Sequence, residues 1–182
     1  LAYNCYGNMF SGCTSLTAAP TLPATTLAPY CYQYMFRECS NLINPPELPA
    51  TTLARNCYYY MFGECISLVT APSLPATTLA DSCCYNMFSG CKGLTSAPKL
   101  PAASLTNNCY HAMFSDCTSL TTAPTLPATT LAVGCYQYML SGCSKLNSIT
   151  VYAEDISASA CTNIWLNNVA SSGTFNNIGF AP

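Results

Sequence analysis

The sequence predicts a repeat solenoid: a right-handed β/α superhelix with short parallel strands on one face, short helices on the other, and a C-terminal cap. Three observations predict it. First, Met9, Met35, Met61, Met87, Met113 and Met139 recur at a constant 26-residue step. Cys13, Cys39, Cys65, Cys91, Cys117 and Cys143 keep that step, as do Leu16, Leu42, Leu68, Leu94, Leu120 and Leu146. Second, the stretch LPATTLA returns verbatim at Leu22–Ala28, Leu48–Ala54, Leu74–Ala80 and Leu126–Ala132, with a variant, LPAASLT, at Leu100–Thr106. Third, hydrophobic residues make up 51% of the chain and charged ones only 7%, where about a quarter is usual for a soluble domain. Each unit therefore carries many apolar positions that it cannot bury alone, and stacking buries them.

The units start at Leu1, Leu27, Leu53, Leu79, Leu105 and Leu131, with no insertion or deletion between them. A period of roughly 20–29 residues with Leu and Cys in register is that of a leucine-rich solenoid. Neighbouring rungs should lie ~4.8 Å apart, the strand spacing of a sheet, which makes the six rungs about 30 Å long. Every fixed letter then becomes a column, and the Leu column above and Met35, Met61, Met87 and Met113 are structural.

Within a unit, C-x-x-L-x-x-A reads as a short strand, with Leu16 and Ala19 inward and Ser15 and Ala18 outward. Pro20 and Pro23 end it, because proline donates no ladder hydrogen bond. LPATTLA turns the corner, and Thr25 or Thr26 is suited to cap the next segment. Leu27, Cys31 and Met35 then fall at i, i+4 and i+8, which predicts one or two helical turns facing inward. Gly12, Gly90 and Gly142 would let the chain leave that helix.

The last unit departs from this pattern. NSITVYAED has no proline, and Ile149 and Val151 alternate, so a longer final strand is expected. We place the solenoid at 1–151 and a capping segment at 152–182, since a solenoid needs its last rung covered. A cap helix is expected there. One row would hold Ile156, Ala160, Ile164 and Asn168, the next Cys161, Trp165 and Val169. Ser157 or Ser159 would cap its start, and Trp165 would be its apolar anchor.

Fourteen cysteines invite a disulfide reading. Within a unit, however, Cys5 and Cys13 would lie ~12 Å apart along a helix, beyond the reach of a bridge. Between rungs their Cβ vectors run parallel, a poor geometry for bridging. No C-x-x-C or C-x-x-H pair supports zinc. Two columns of buried thiols are expected, with Cys84 and Cys161 the candidates for exceptions.

Several functions are excluded or disfavoured. Only Arg37, Arg55, Lys92, Lys99 and Lys145 carry positive charge and the net charge is -2, so no basic patch is available for nucleic acid. No apolar run is long enough to span a membrane. No nucleophile-elbow, P-loop or dinucleotide motif occurs. His111, the only histidine, has no nucleophile or carboxylate near it in sequence, so a surface role is expected rather than catalysis. Glu154 and Asp155 suit the N-terminus of the cap helix. Glu38, Glu64 and Asp116 share a column, but they are too few oxygens for calcium and read as solvated charges. LPATT lacks the glycine and the apolar tail of a sorting signal. No catalytic residue, cofactor or metal site is expected.

Two sets of variable positions remain as candidate interaction surfaces. The helix face carries Tyr34, Tyr59, Tyr60, Tyr85, His111 and Tyr138. Exposed tyrosines offer large contact area with a polar tip, although they also simply shield a convex surface. The strand face carries Asn41, Asn44, Glu47, Ser73 and Lys99, and solenoids commonly bind along that side.

The string MF-x-x-C-x-x-L…P-x-LP…L-A-x-x-C-Y resembles the BspA-type leucine-rich repeats of bacterial surface proteins, and SITVYAEDISASACTNIWLNNVASSGTF is similar to their usual end segment. The resemblance covers nearly the whole chain. It implies an extracellular or outer-surface, non-enzymatic module for adhesion or protein binding, with a protein or glycan partner on a host or neighbouring cell. It brings no invariant binding residues. A monomer is expected, and a passive spacer presenting another domain is the alternative. Since Leu1 falls inside a repeat, a targeting segment and further repeats are expected upstream.

Overall fold

The computed structural model describes residues 1–179. The 26-residue units stack as rungs, as the columns require. Thr70, Ser96, Thr122 and Ser148 form one line of parallel bridges, and Thr26, Thr52 and Thr78 form another. The only extended strands among the described residues are β1 (Ser148–Val151) and β2 (Thr174–Asn177). They pair in parallel with Ser148 opposite Thr174 and Val151 opposite Asn177. The longer final strand expected around Ile149 and Val151 is therefore present. Elsewhere the strand side reduces to single bridges, because Pro20, Pro46, Pro72, Pro98 and Pro124 cut each ladder short.

The predicted helices are absent: no described residue is helical. The segment from Leu53 to Cys65 shows what replaces them. Cys57, Tyr59, Met61, Gly63 and Cys65 donate their N–H groups three residues back, at 3.1–3.2 Å. Alternate residues donate to the next rung instead: Tyr58 to Cys83 O at 2.9 Å, Tyr60 to Tyr85 O at 2.8 Å, Phe62 to Met87 O at 2.9 Å and Glu64 to Ser89 O at 2.8 Å. The chain is thus a run of tight turns, each tied to its neighbour rung, and every backbone donor from Asn56 to Cys65 has a partner.

Such turns need a left-handed residue every fourth position. Asn56 (φ 53°), Tyr60 (φ 52°) and Glu64 (φ 62°) supply it in this rung, and Ser82, Asn86 and Gly90 in the next. The expected inward row is real, but its period is four. Leu53, Cys57, Met61 and Cys65 are all buried. A helix would rotate such a row by about 40° at each step and lose it within three steps. The turn face, not a helix face, is the outer side of this protein.

The interior is a set of ladders. Phe10, Phe36, Phe62, Phe88 and Phe114 stack face to face with ring centroids 5.5–5.7 Å apart. Offset stacks of this kind are worth about 0.5–1.5 kcal/mol per pair beyond the area they bury. The Met and Leu columns at Met35, Met61, Met87, Met113, Leu42, Leu68, Leu94 and Leu120 are buried, while Leu16 in the first rung is half-buried. At the corner, Leu48 and Ala50 face inward and Pro49, Thr51 and Thr52 outward. Thr26 and Thr52 cap no helix there, because their backbones bridge rung to rung.

All fourteen cysteines are free thiols, and all but Cys5 and Cys13 are buried. In one column each thiol donates to a phenylalanine carbonyl of the preceding rung: Cys65 to Phe36 O at 3.0 Å, Cys91 to Phe62 O at 3.0 Å, Cys117 to Phe88 O at 3.1 Å. Burial pushes these thiols above their ordinary range, and that of Cys65 reaches about 12, so they stay protonated donors rather than reactive thiolates.

The C-terminal segment continues the turns where a cap helix was expected. Ala160, Ile164 and Asn168 are left-handed, at φ 54°, 56° and 56°. Ile156 and Ile164 face solvent, 51% and 43% exposed, and do not form an inward row. Cys161 is buried, and Trp165 packs on Tyr136 and Phe175 at centroid distances of 6.2 and 6.1 Å. Asp155 caps no helix. Its carboxylate accepts the Ser157 N–H at 2.9 Å, which holds it below the ordinary carboxylate range. One residue is skipped before this segment: Thr122 pairs with Ser148, 26 residues on, but Leu126 pairs with Val151, 25 on.

Candidate functional site

Rung stacking turns sequence columns into surface rows, so each candidate's place follows from its position in the unit. On the turn face, Tyr59, Tyr85 and His111 occupy the same position of three successive units, and Tyr34, Tyr60 and Tyr138 the next position along. Their rings form one continuous ridge. Tyr34 meets Tyr59 edge-on at 5.2 Å, Tyr59 stacks on Tyr85 at 5.1 Å, and Tyr85 on His111 at 4.1 Å. His111 meets Tyr138 at 5.7 Å. All six residues are half-buried. The ring faces are consumed by the stack itself, so the ridge presents edges and hydroxyls to solvent.

The local electrostatics keep this ridge neutral. Burial raises the Tyr59 hydroxyl to about 12, and the neighbouring Tyr34 adds to the effect. Tyr60 is raised by burial and then by Glu64, and Tyr85 by burial and then by Tyr138. His111 is half-buried, so its pKa is lowered by desolvation. Its Nδ1 is covered and has no hydrogen-bond partner among the described residues. The imidazole therefore acts as a flat aromatic rung at neutral pH.

The strand-face residues Asn41, Asn44, Glu47, Ser73 and Lys99 are all exposed. They do not converge. Asn41 spends its amide on Thr14 O at 2.8 Å, and Asn44 sits in the bridge to Ala18. Glu47, Ser73 and Lys99 share one column at the proline corner. Lys99 lines a shallow groove with Pro98, Pro101, Pro124 and Pro127, and Glu47 lines one with Pro20, Pro23, Pro46 and Pro49. Small polar tips spread over three rungs offer less continuous contact area than the ridge.

One arrangement escaped sequence reasoning. Arg37 lays its guanidinium over the rings of Tyr34 and Tyr60, at 5.9 and 5.5 Å from their centroids, and pairs with Glu38. The signal was available: Arg37 is the only cation at its position of the unit, between a variable tyrosine and the acidic column. Glu38, Glu64 and Asp116 line that column beside the ridge. Among the described residues no group of three or more His, Cys, Asp or Glu is placed to hold a metal ion, and no helix is long and apolar enough to cross a membrane.

No curated protein and no solved structure matches the chain. The BspA type leucine rich repeat region does, in six copies over residues 3–95 and 55–181. Those stretches include the constant step, the thiol and methionine columns and the C-terminal turns, and on them the chain belongs to the BspA-type leucine-rich repeat family.

Proposed function

We propose that this protein is a non-enzymatic binding module, secreted or held at the outer cell surface, that recognises a macromolecule on a host or neighbouring cell. The observation that carries this reading is the ridge from Tyr34 to Tyr138: a continuous, half-exposed aromatic row laid across five rungs of a rigid stack. Tyrosine is enriched at binding hot spots because it contributes large area at low entropic cost. The scaffold beneath is constant from unit to unit, whereas the letters of the ridge change, as a surface selected for one partner requires. A monomer suffices for this role. A passive spacer would need neither the ridge nor its variation.

The labelled chain, titrated onto intact host and bacterial cells and onto glycan and extracellular-protein arrays, tests the reading. Saturable binding is expected, lost in a Tyr59→Ala, Tyr85→Ala double variant and kept in Asn44→Ala, Lys99→Ala. Binding that survives the first pair and fails with the second would move the site to the strand face. No saturable binding anywhere would leave the spacer.

A further inference from the structure

The Arg37 seat is a worked example of what the turn face accepts. A guanidinium lies against tyrosine rings while a carboxylate beside it neutralises the charge. Arginine suits such a seat because its planar, weakly hydrated head stacks and pairs at once. The repeat carries the same positions to every rung, so the seat can be sought elsewhere by adding 26 or its multiples.

Two rungs keep the acid and one of the two tyrosines of the seat and lack the arginine: Asn86 stands in place of the second ring one step on, and Ala112 in place of the first ring three steps on. One step on, Tyr60 and Glu64 stand where Tyr34 and Glu38 stood, and Gly63 replaces Arg37. Three steps on, Asp116 and Tyr138 take the places of Glu38 and Tyr60, and Ser115 replaces Arg37. Neither Glu64 nor Asp116 makes an ion pair among the described residues. Both carboxylates are held in place in the same way. Glu64 lies over Gly90 and Asp116 over Gly142, where any β-carbon would collide with them. The other rungs break the pattern, since Asn86 and Ala112 enclose Ser89 and Gly90 with no acid.

We propose that the turn face docks an extended partner segment bearing two arginines three residues apart, one guanidinium at Tyr60 and Glu64, the other at Asp116 and Tyr138. This rests on the binding-module reading above and names its partner. The spacing supports it. The two positions without an arginine, Gly63 and Ser115, are two rungs apart, ~10 Å on the strand spacing. A polyproline II segment returns to the same side every third residue, an advance of ~9 Å. Between the seats the Tyr85–His111 stack supplies the aromatic edge along which such segments commonly lie. Two unpaired carboxylates supply the charge complementarity that would orient the partner and set its salt dependence.

Fluorescence anisotropy with a tagged Ser-Arg-Pro-Pro-Arg-Ser peptide tests this on the intact chain. Binding is expected at low salt, weakening as salt rises. Glu64→Gln or Asp116→Asn should weaken it about tenfold, an ion-pair-sized change. Both substitutions are near-isosteric, and an unchanged melting temperature shows that the fold is intact. A Ser-Arg-Pro-Arg-Ser peptide should bind several-fold more weakly. Arg37→Ser should tighten binding, because it uncovers the Tyr60 ring and leaves Glu38 without its ion pair. Failure of the arginine peptide to bind, equal affinity for Ser-Glu-Pro-Pro-Glu-Ser, or indifference to both carboxylate substitutions would overturn the proposal. If cells or glycans still bind saturably and the peptide does not compete, this inference fails while the binding module stands. If nothing binds, both fail.

Discussion

The LPATT corner and the turn segment are both repeated in every unit, yet they repeat different things. The corner repeats its letters. Leu and Ala point inward, Pro ends the ladder, and the two threonines are exposed hydroxyls whose backbones bridge rung to rung. The turn segment repeats a geometry. Every fourth residue is left-handed, but the residue there is Asn, Tyr, Glu, Asp, Ser, Ala, Ile or Gly. Beneath it the Cys, Met and Phe columns are fixed, and above it the surface letters change. The corner is therefore constant because each rung must turn in the same way. The turn segment is where constant packing and variable surface share one stretch of chain, and the proposed binding ridge lies on it.

The largest predicted difference between the two regions is in stability. Phe88 stacks between Phe62 and Phe114 and is fully buried, so Phe88→Ala should cost about 3–5 kcal/mol, transfer and cavity terms together. Urea denaturation measures it. At the corner, Thr77→Ser removes one exposed methyl and should stay within about 0.5 kcal/mol. A corner substitution as costly as the phenylalanine would erase the distinction.

A smaller effect follows from the ridge. Desolvation lowers the pKa of His111 in the folded state, so between its folded and ordinary values the unfolded chain binds the proton more strongly. The stability contribution is then full above about pH 6.5 and is lost as pH falls through the lowered folded value. Thermal melts across that window should show a shallow acid-side loss, flattened by His111→Tyr, the residue found at this position in Tyr59 and Tyr85. A melting temperature that rises on acidification would contradict the burial of the imidazole.

The rungs, their period and the buried columns were legible in the sequence, because stacked identical units leave fixed letters at fixed steps. The thiol columns were legible too, since parallel neighbours bridge poorly. The helices were not there. Leu27, Cys31 and Met35 fit a helical row only while the row is short. Extending it to Cys39 keeps the four-residue step, which 3.6 residues per turn cannot sustain. Asn4, Asn8 and Gly12, or Asn56 and Asn86, at the same positions were the matching sign of left-handed turns. The ridge was half legible. Variable tyrosines were visible as letters, but their merging into one stack depends on neighbouring positions leaning together across rungs. The Arg37 seat depends on the same cross-rung contact, between Tyr34 and Tyr60, and no single unit contains it.

The central claim is that the outer side is a stack of left-handed turns rather than helices. Ile164 tests it most directly, because a β-branched residue is held there at φ 56° and faces solvent. Asn8 and Asn86 occupy the same position in other units. Asparagine tolerates the left-handed region and isoleucine does not. The melting temperature of Ile164→Asn should rise by about 2–4 °C, the shift that ~1 kcal/mol produces in a chain of this size. A fall would contradict the turn stack, because it is what an inward-facing helical isoleucine would give.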